Sequence, residues 1–152
     1  MSLFDPQAFL DAAYTESNDT KLIPVPVGEY AALIEKVTPR TWQSKDGTQS
    51  GVALDVEWLI EDQEVKNFLG RETIKCRQGL MLDLTPDGKL DMSKGKNIGL
   101  GKLREALNLN QAGQQFSFGQ LPGRMAKVQV THRDNEKEPG EVFAEIRKVA
   151  AV

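Results

Sequence analysis

Apolar and polar positions alternate along most of this chain, and the places where the alternation breaks mark its elements. EYAALIEKV (29–37) is nearly continuously apolar, as a central strand should be. GVALDVEWLI (51–60) alternates: Val52, Leu54, Val56, Trp58 and Ile60 share one parity while Ala53, Asp55 and Glu57 take the other, which turns Trp58 inward. In RETIKCRQ (71–78), Ile74 and Cys76 have inward parity and Arg71, Thr73, Lys75 and Arg77 face out, so a basic ridge is expected on the third strand. LMLDLTPDGKLDM (80–92) predicts a hairpin excursion around a Pro-Asp-Gly turn. LGKLREALNL (100–109) carries Leu100, Leu103, Ala106 and Leu107 at helical spacing, with Lys102, Arg104 and Glu105 on the surface. RMAKVQVTH (124–132) buries Ala126, Val128 and Val130 and leaves Lys127 outside. VFAEIRKV (142–149) closes the set with Phe143 outward.

Three strands, a helix and two more strands predict a mainly β fold, a five-stranded OB-type barrel with a helix between strands 3 and 4 and an extra hairpin. An SH3-like barrel or a sandwich is the alternative. Ahead of it, Asp5 and Pro6 suit an N-cap and first helical position, opening a short helix from Pro6 to about Tyr14. A polar stretch and IPVPVG follow, whose prolines forbid helix. The predicted division is therefore 1–24, N-terminal helix and linker, and 25–152, barrel domain.

A length of 152 residues suits one domain with a modest core, and the composition is that of a soluble globular chain. No apolar run approaches a membrane span, and MSLFDPQAFLDAAYTE lacks the pattern of a secretory signal, so an intracellular protein is expected. The net charge of −3 conceals an uneven distribution. Residues 1–64 hold 12 acids and 4 bases, and residues 65–133 hold 5 acids and 12 bases. A basic middle is the footprint of a phosphate-binding face, although the two segments could equally neutralise each other across a folded interface.

Catalytic and metal templates fail. One Cys, Cys76, and one His, His132, make neither a disulfide nor a zinc site. GKNIGLGKL (95–103) resembles a phosphate loop, but its glycines are one residue too far apart and Leu103 replaces the hydroxyl residue that would hold magnesium. No nucleophile, base and orienting group stand in a known pattern, so neither an enzyme nor a cofactor is expected.

What remains is RTWQSKDGTQ (40–49), a Trp between two bases at a turn. Trp42 is either a packed strand end or a ring kept for a ligand to stack on. Single-strand binding needs a basic groove and a few flat rings. Arg40 and Lys45 in the first loop, Arg71, Lys75 and Arg77 on the third strand and Lys127 on the fourth would track phosphates, while Trp42 and Phe143 would stack bases. The competing reading pairs the third-strand bases with Asp55 and Glu57 on the neighbouring strand.

VPVGEYAALIEKV, LGRETIKC, LGKLREALNL and LPGRMAKVQVTHR, with FDPQAFLDAA at the start, resemble a family of small bacteriophage OB-fold single-stranded DNA-binding proteins. The resemblance spans roughly residues 25–149. It implies a DNA-binding protein of phage replication or recombination, acting in the cytoplasm of the infected bacterial host. Its partners would be single-stranded DNA, replication or recombination proteins and, as an open alternative, a second copy of itself in a homo-oligomer; no membrane is involved. Acidic C-terminal tails are common among such binders, whereas this sequence ends EIRKVAAV. The alternative function is a non-catalytic protein-interaction adaptor built on the same barrel.

Overall fold

One long strand, β1 (Gly28–Gln43), serves two neighbours and so lets the sheet close. A bulge between Ile34 and Lys36 bends it. Its first half pairs antiparallel with β4 (Met125–Asp134) and its second half with β2 (Ser50–Ile60). β2 pairs with β3 (Lys75–Leu82), β4 with β5 (Val142–Ala150), and β5 meets β3 in parallel at Arg77 and Glu145. The closed order β1-β2-β3-β5-β4 is that of an OB-type barrel. This computed structural model describes residues 3–152.

The alternating patterns fill the barrel as the parity requires. Ala32, Ile34, Val56, Trp58, Ile60, Ile74, Ala126, Val128 and Val130 are buried. Midway along the β3–β4 connection, α3 (Ile98–Ala106) drives Leu100 and Leu103 into the same core. Trp58 is fully enclosed, and its Nε1 donates to Oε1 of buried Gln78 at 3.0 Å, so the one polar atom of the ring is satisfied.

Several elements differ from the sequence reading. β1 runs on to Gln43, so Arg40 and Trp42 sit on a strand rather than in the loop. β3 begins at Lys75 and ends at Leu82, absorbing the first arm of the expected hairpin; a single bridge, Leu84 to Leu90, is left of it. Arg71 therefore precedes the strand. A further helix, α2 (Gln63–Leu69), lies between β2 and β3, where the sequence reading placed no element. Asp62 caps it by accepting from the Val65 amide at 3.0 Å, and Gly70 ends it at φ 66°, where a side chain would be strained. Arg104 is buried rather than on the surface: Nε donates to the Leu109 carbonyl at 3.0 Å and the guanidinium lies 4.2 Å from the Phe116 ring centre. A stacked, hydrogen-bonded guanidinium can enter a helix–loop junction that a bare charge could not.

The N-terminal helix α1 (Pro6–Asp11) is capped by Asp5, which accepts from the Gln7 and Ala8 amides, and stops short of Tyr14. None of its residues is buried. Anchoring starts further on, where the Arg71 guanidinium donates to the Ile23 carbonyl at 3.1 Å. Val25 is buried, and its carbonyl accepts from His132 Nε2 at 2.6 Å. A carbonyl can only accept, so Nε2 is the donor in this contact. The Tyr30 hydroxyl donates to the Pro26 carbonyl, and burial raises its pKa.

Candidate nucleic-acid interface

The outer face of β1, β2 and β3 is a three-stranded surface whose register places each candidate. Across β1 and β2, Lys36 stands opposite Glu57, Thr38 opposite Asp55, Arg40 opposite Ala53 and Trp42 opposite Gly51. On β3, Arg77 faces Glu57, Gly79 faces Asp55 and Met81 faces Ala53. Small residues at 51, 53 and 79 leave this end of the face low, with Trp42 at its rim and Met81, 59% exposed, beside it.

Trp42 is half-buried, its ring laid against the backbone of Gly51: a Cβ there would fall 2.7 Å from Nε1 and 2.9 Å from Cε2 and Cζ2. Nε1 is covered by the strand and makes no hydrogen bond. The loop next to the ring, 44–49, is tied down by Asp46, whose Oδ1 accepts from Ser44 Oγ at 2.6 Å, Thr48 Oγ1 at 2.8 Å and the Thr48 amide at 3.0 Å. These donors lower the Asp46 pKa from 3.8 to about 2. Lys45 projects from the same loop, exposed.

The basic residues of the face are occupied by carboxylates. Arg40 Nε donates to Asp55 Oδ2 at 2.9 Å, and Arg77 Nε lies 3.9 Å from Oδ1 of the same carboxylate. Lys75 Nζ sits 3.1 Å from Glu57 and 3.5 Å from Glu35, and Lys36 is 3.9 Å from Glu57. Hydrogen bonding by Lys75 holds the Glu57 carboxyl below its ordinary pKa, and the same contact holds the Lys75 ammonium above its own. Cross-strand pairing, the competing reading of the third-strand bases, is thus what Lys75 and Arg77 do in this structure.

The remaining candidates lie apart. Arg71 clamps the linker at Ile23. Lys127 is on the β1–β4 flank, 3.7 Å from Glu29. Phe143 points outward on β5, 47% exposed, with the Arg133 guanidinium 5.4 Å from its ring centre. Arg40, Trp42, Lys75 and Arg77 therefore share one face, with Lys45 beside it. Met81 belongs there too, and the parity of Lys75 and Arg77 would have found it had the third strand been continued past residue 78. Cys76 points into the barrel, where burial pushes its thiol up to about 11, too high for a nucleophile near neutral pH.

No protein-family model matches the chain, and no curated protein matches it. Among the described residues, no group of His, Cys, Asp and Glu could hold a metal ion, and no helix is long and apolar enough to cross a membrane.

Proposed function

We propose that the protein binds single-stranded DNA across the outer face of β1, β2 and β3, stacking a base on Trp42. The observation that carries this reading is the contrast between the two tryptophans. Trp58 is enclosed and hydrogen-bonded, as a structural indole is. Trp42 is half-exposed and rests on a glycine at the rim of the strand 2–3 face, beside the first loop that OB barrels commonly use for oligonucleotides. One stacked base contributes about 1–3 kcal/mol, so a single ring matters. The setting in phage replication or recombination follows from the family resemblance and belongs to the same proposal.

A second reading, a protein-binding adaptor, draws on the same surface. Paired cations must release carboxylates before they hold phosphates, and Phe9, Leu10 and Tyr14 in the N-terminal segment are exposed. Fluorescence anisotropy with a labelled oligonucleotide, single-stranded beside duplex, at two salt concentrations separates the two. Tighter single-strand binding that weakens with salt supports the first; equal affinity for both forms, or no binding at low salt, sinks it in favour of the adaptor.

A further inference from the structure

β3 and β5 touch at one residue pair, Arg77 with Glu145, and part beyond it. From there β3 continues to Leu82 paired only with β2, and β5 to Ala150 paired only with β4. The opening between them is a cleft of about 810 Å³ with α3 along its side. Gly99 lets the helix approach β3 closely, since a Cβ there would lie 3.3 Å from Leu80. Leu80, Leu103 and Ile146, all buried in the core, line it, and Lys102, Arg147 and Lys148 stand exposed around it.

We propose that this cleft is the phosphate-binding site of the protein and holds the sugar-phosphate backbone of the same strand whose base stacks on Trp42. The proposal rests on the single-strand reading above. Its main support is that three cations without an ion pair gather around the cleft; others of that kind, Lys45 beside Trp42 among them, stand elsewhere on the surface. Arg40, Lys75, Arg77, Lys127 and Arg133 all sit within 4.0 Å of a carboxylate. Lys102, Arg147 and Lys148 have no ion pair among the described residues, and Glu105 is the one carboxylate lining the cleft. An unpaired cation gives up only solution counterions when a phosphate arrives, whereas a paired one must also lose its carboxylate.

The path between the two sites is open as well. Gly79 lies on the outer face and also lines the cleft; a Cβ there would meet nothing nearer than Asp55 Oδ1 at 4.0 Å. A strand leaving the Trp42 platform can therefore cross low over β3, past Met81 and Gly79, and reach Arg147 on the far side. Beyond Arg77 the edge of β3 has no ladder partner, which adds backbone groups able to meet a polar chain. The rival occupant is an acidic peptide, for which the N-terminal segment with Asp5, Asp11, Glu16 and Asp19 is the available example.

The test is the salt dependence of binding to a labelled oligothymidylate of about 15 nucleotides, within the span that OB barrels cover. Lys102→Ala, Arg147→Ala and Lys148→Ala should each lower the slope of log affinity against log salt by about 0.7, the value for one phosphate contact on a single strand. Trp42→Ala should reduce affinity without changing the slope. All three cations are exposed, so thermal melts of the variants should match that of the parent. If the parent binds and the three variants keep its slope, the cleft proposal is overturned and the single-strand reading stands. If the parent binds no single strand, both fall. If the variants keep the slope but change the protease sensitivity of residues 3–20, the cleft holds the acidic segment instead.

Discussion

The Trp42 indole lies on the backbone of Gly51, its partner across the β1–β2 ladder, so closely that no side chain fits between them. The contact fixes the ring without enclosing it. Trp42→Ala should therefore cost about 1–2 kcal/mol of stability, below the 3–5 kcal/mol of a fully buried aromatic, while weakening single-strand binding by about 1–3 kcal/mol. Gly51→Ala keeps the ring but forces it off the strand, and should shift its fluorescence with little loss of fold. Chemical denaturation and anisotropy on the same samples check both. A loss of 3 kcal/mol or more in stability with affinity unchanged would make Trp42 a structural residue.

Most of the barrel was legible because its strands alternate. Parity alone put Trp58, Val56 and Ile74 inside and Arg77 and Phe143 outside. What failed were boundaries and local chemistry. Asp62 and Gly70 are a helix cap and stop, and Val65, Phe68 and Leu69 between them stand at helical spacing, so α2 is written in the sequence and only its length of seven residues obscures it. The third strand slid by four residues because Arg71 and Thr73 continue its alternation without pairing. The face itself was legible, since Arg40, Trp42, Lys75 and Arg77 do share it. Its electrostatics were legible as one of two readings, since the pairing of the third-strand bases with Asp55 and Glu57 is what Lys75 and Arg77 make. The choice between the two depends on register, which periodicity leaves open. The gap between β3 and β5 is a property of closure and leaves no mark on either strand's sequence.

Asp55 holds two guanidiniums at once, Arg40 at 2.9 Å and Arg77 at 3.9 Å. Asp55→Asn should release both toward a phosphate. Single-strand affinity at low salt should rise and the salt slope steepen by about 0.7–1.4, for one or two new contacts. Stability should change by no more than about 1 kcal/mol, as for exposed ion pairs. An affinity that falls or stays level would show that these arginines do not serve the ligand.

Gln78 is a polar residue kept in the core by one partner. Gln78→Met would leave the Trp58 N–H buried without an acceptor and should cost about 1–3 kcal/mol. Trp58→Phe in the Gln78→Met background should cost less than the sum of the single changes, since the orphaned donor is then gone. Denaturant melts of the four proteins measure the coupling, and strict additivity would contradict the hydrogen bond as the reason for Gln78.

Removing residues 1–20 should leave the barrel folded. No residue of α1 is buried, and anchoring of the chain begins at Ile23 and Val25. The truncated protein should unfold cooperatively with a Tm within a few degrees of the parent. Loss of a cooperative transition would place the segment in the fold after all.

The last prediction concerns the loop beside Trp42. Asp46 accepts three hydrogen bonds within residues 44–48, and its pKa is lowered from 3.8 to about 2, first by Ser44 and then by Thr48. A depressed carboxylate favours the folded loop above its ordinary pKa, and that contribution fades as pH falls through the folded value. The loop should therefore keep its shape from neutrality down to about pH 4 and loosen only between there and about pH 2. Followed by NMR, the Thr48 amide shift should titrate with a midpoint near 2, and Asp46→Ala should abolish the titration and leave the loop loose at every pH. Because Gln43 continues directly from Trp42 into this loop, the same substitution should broaden the indole signal and weaken single-strand binding at neutral pH. A Thr48 midpoint near 3.8 would mean that the Asp46 contacts do not hold the loop in solution.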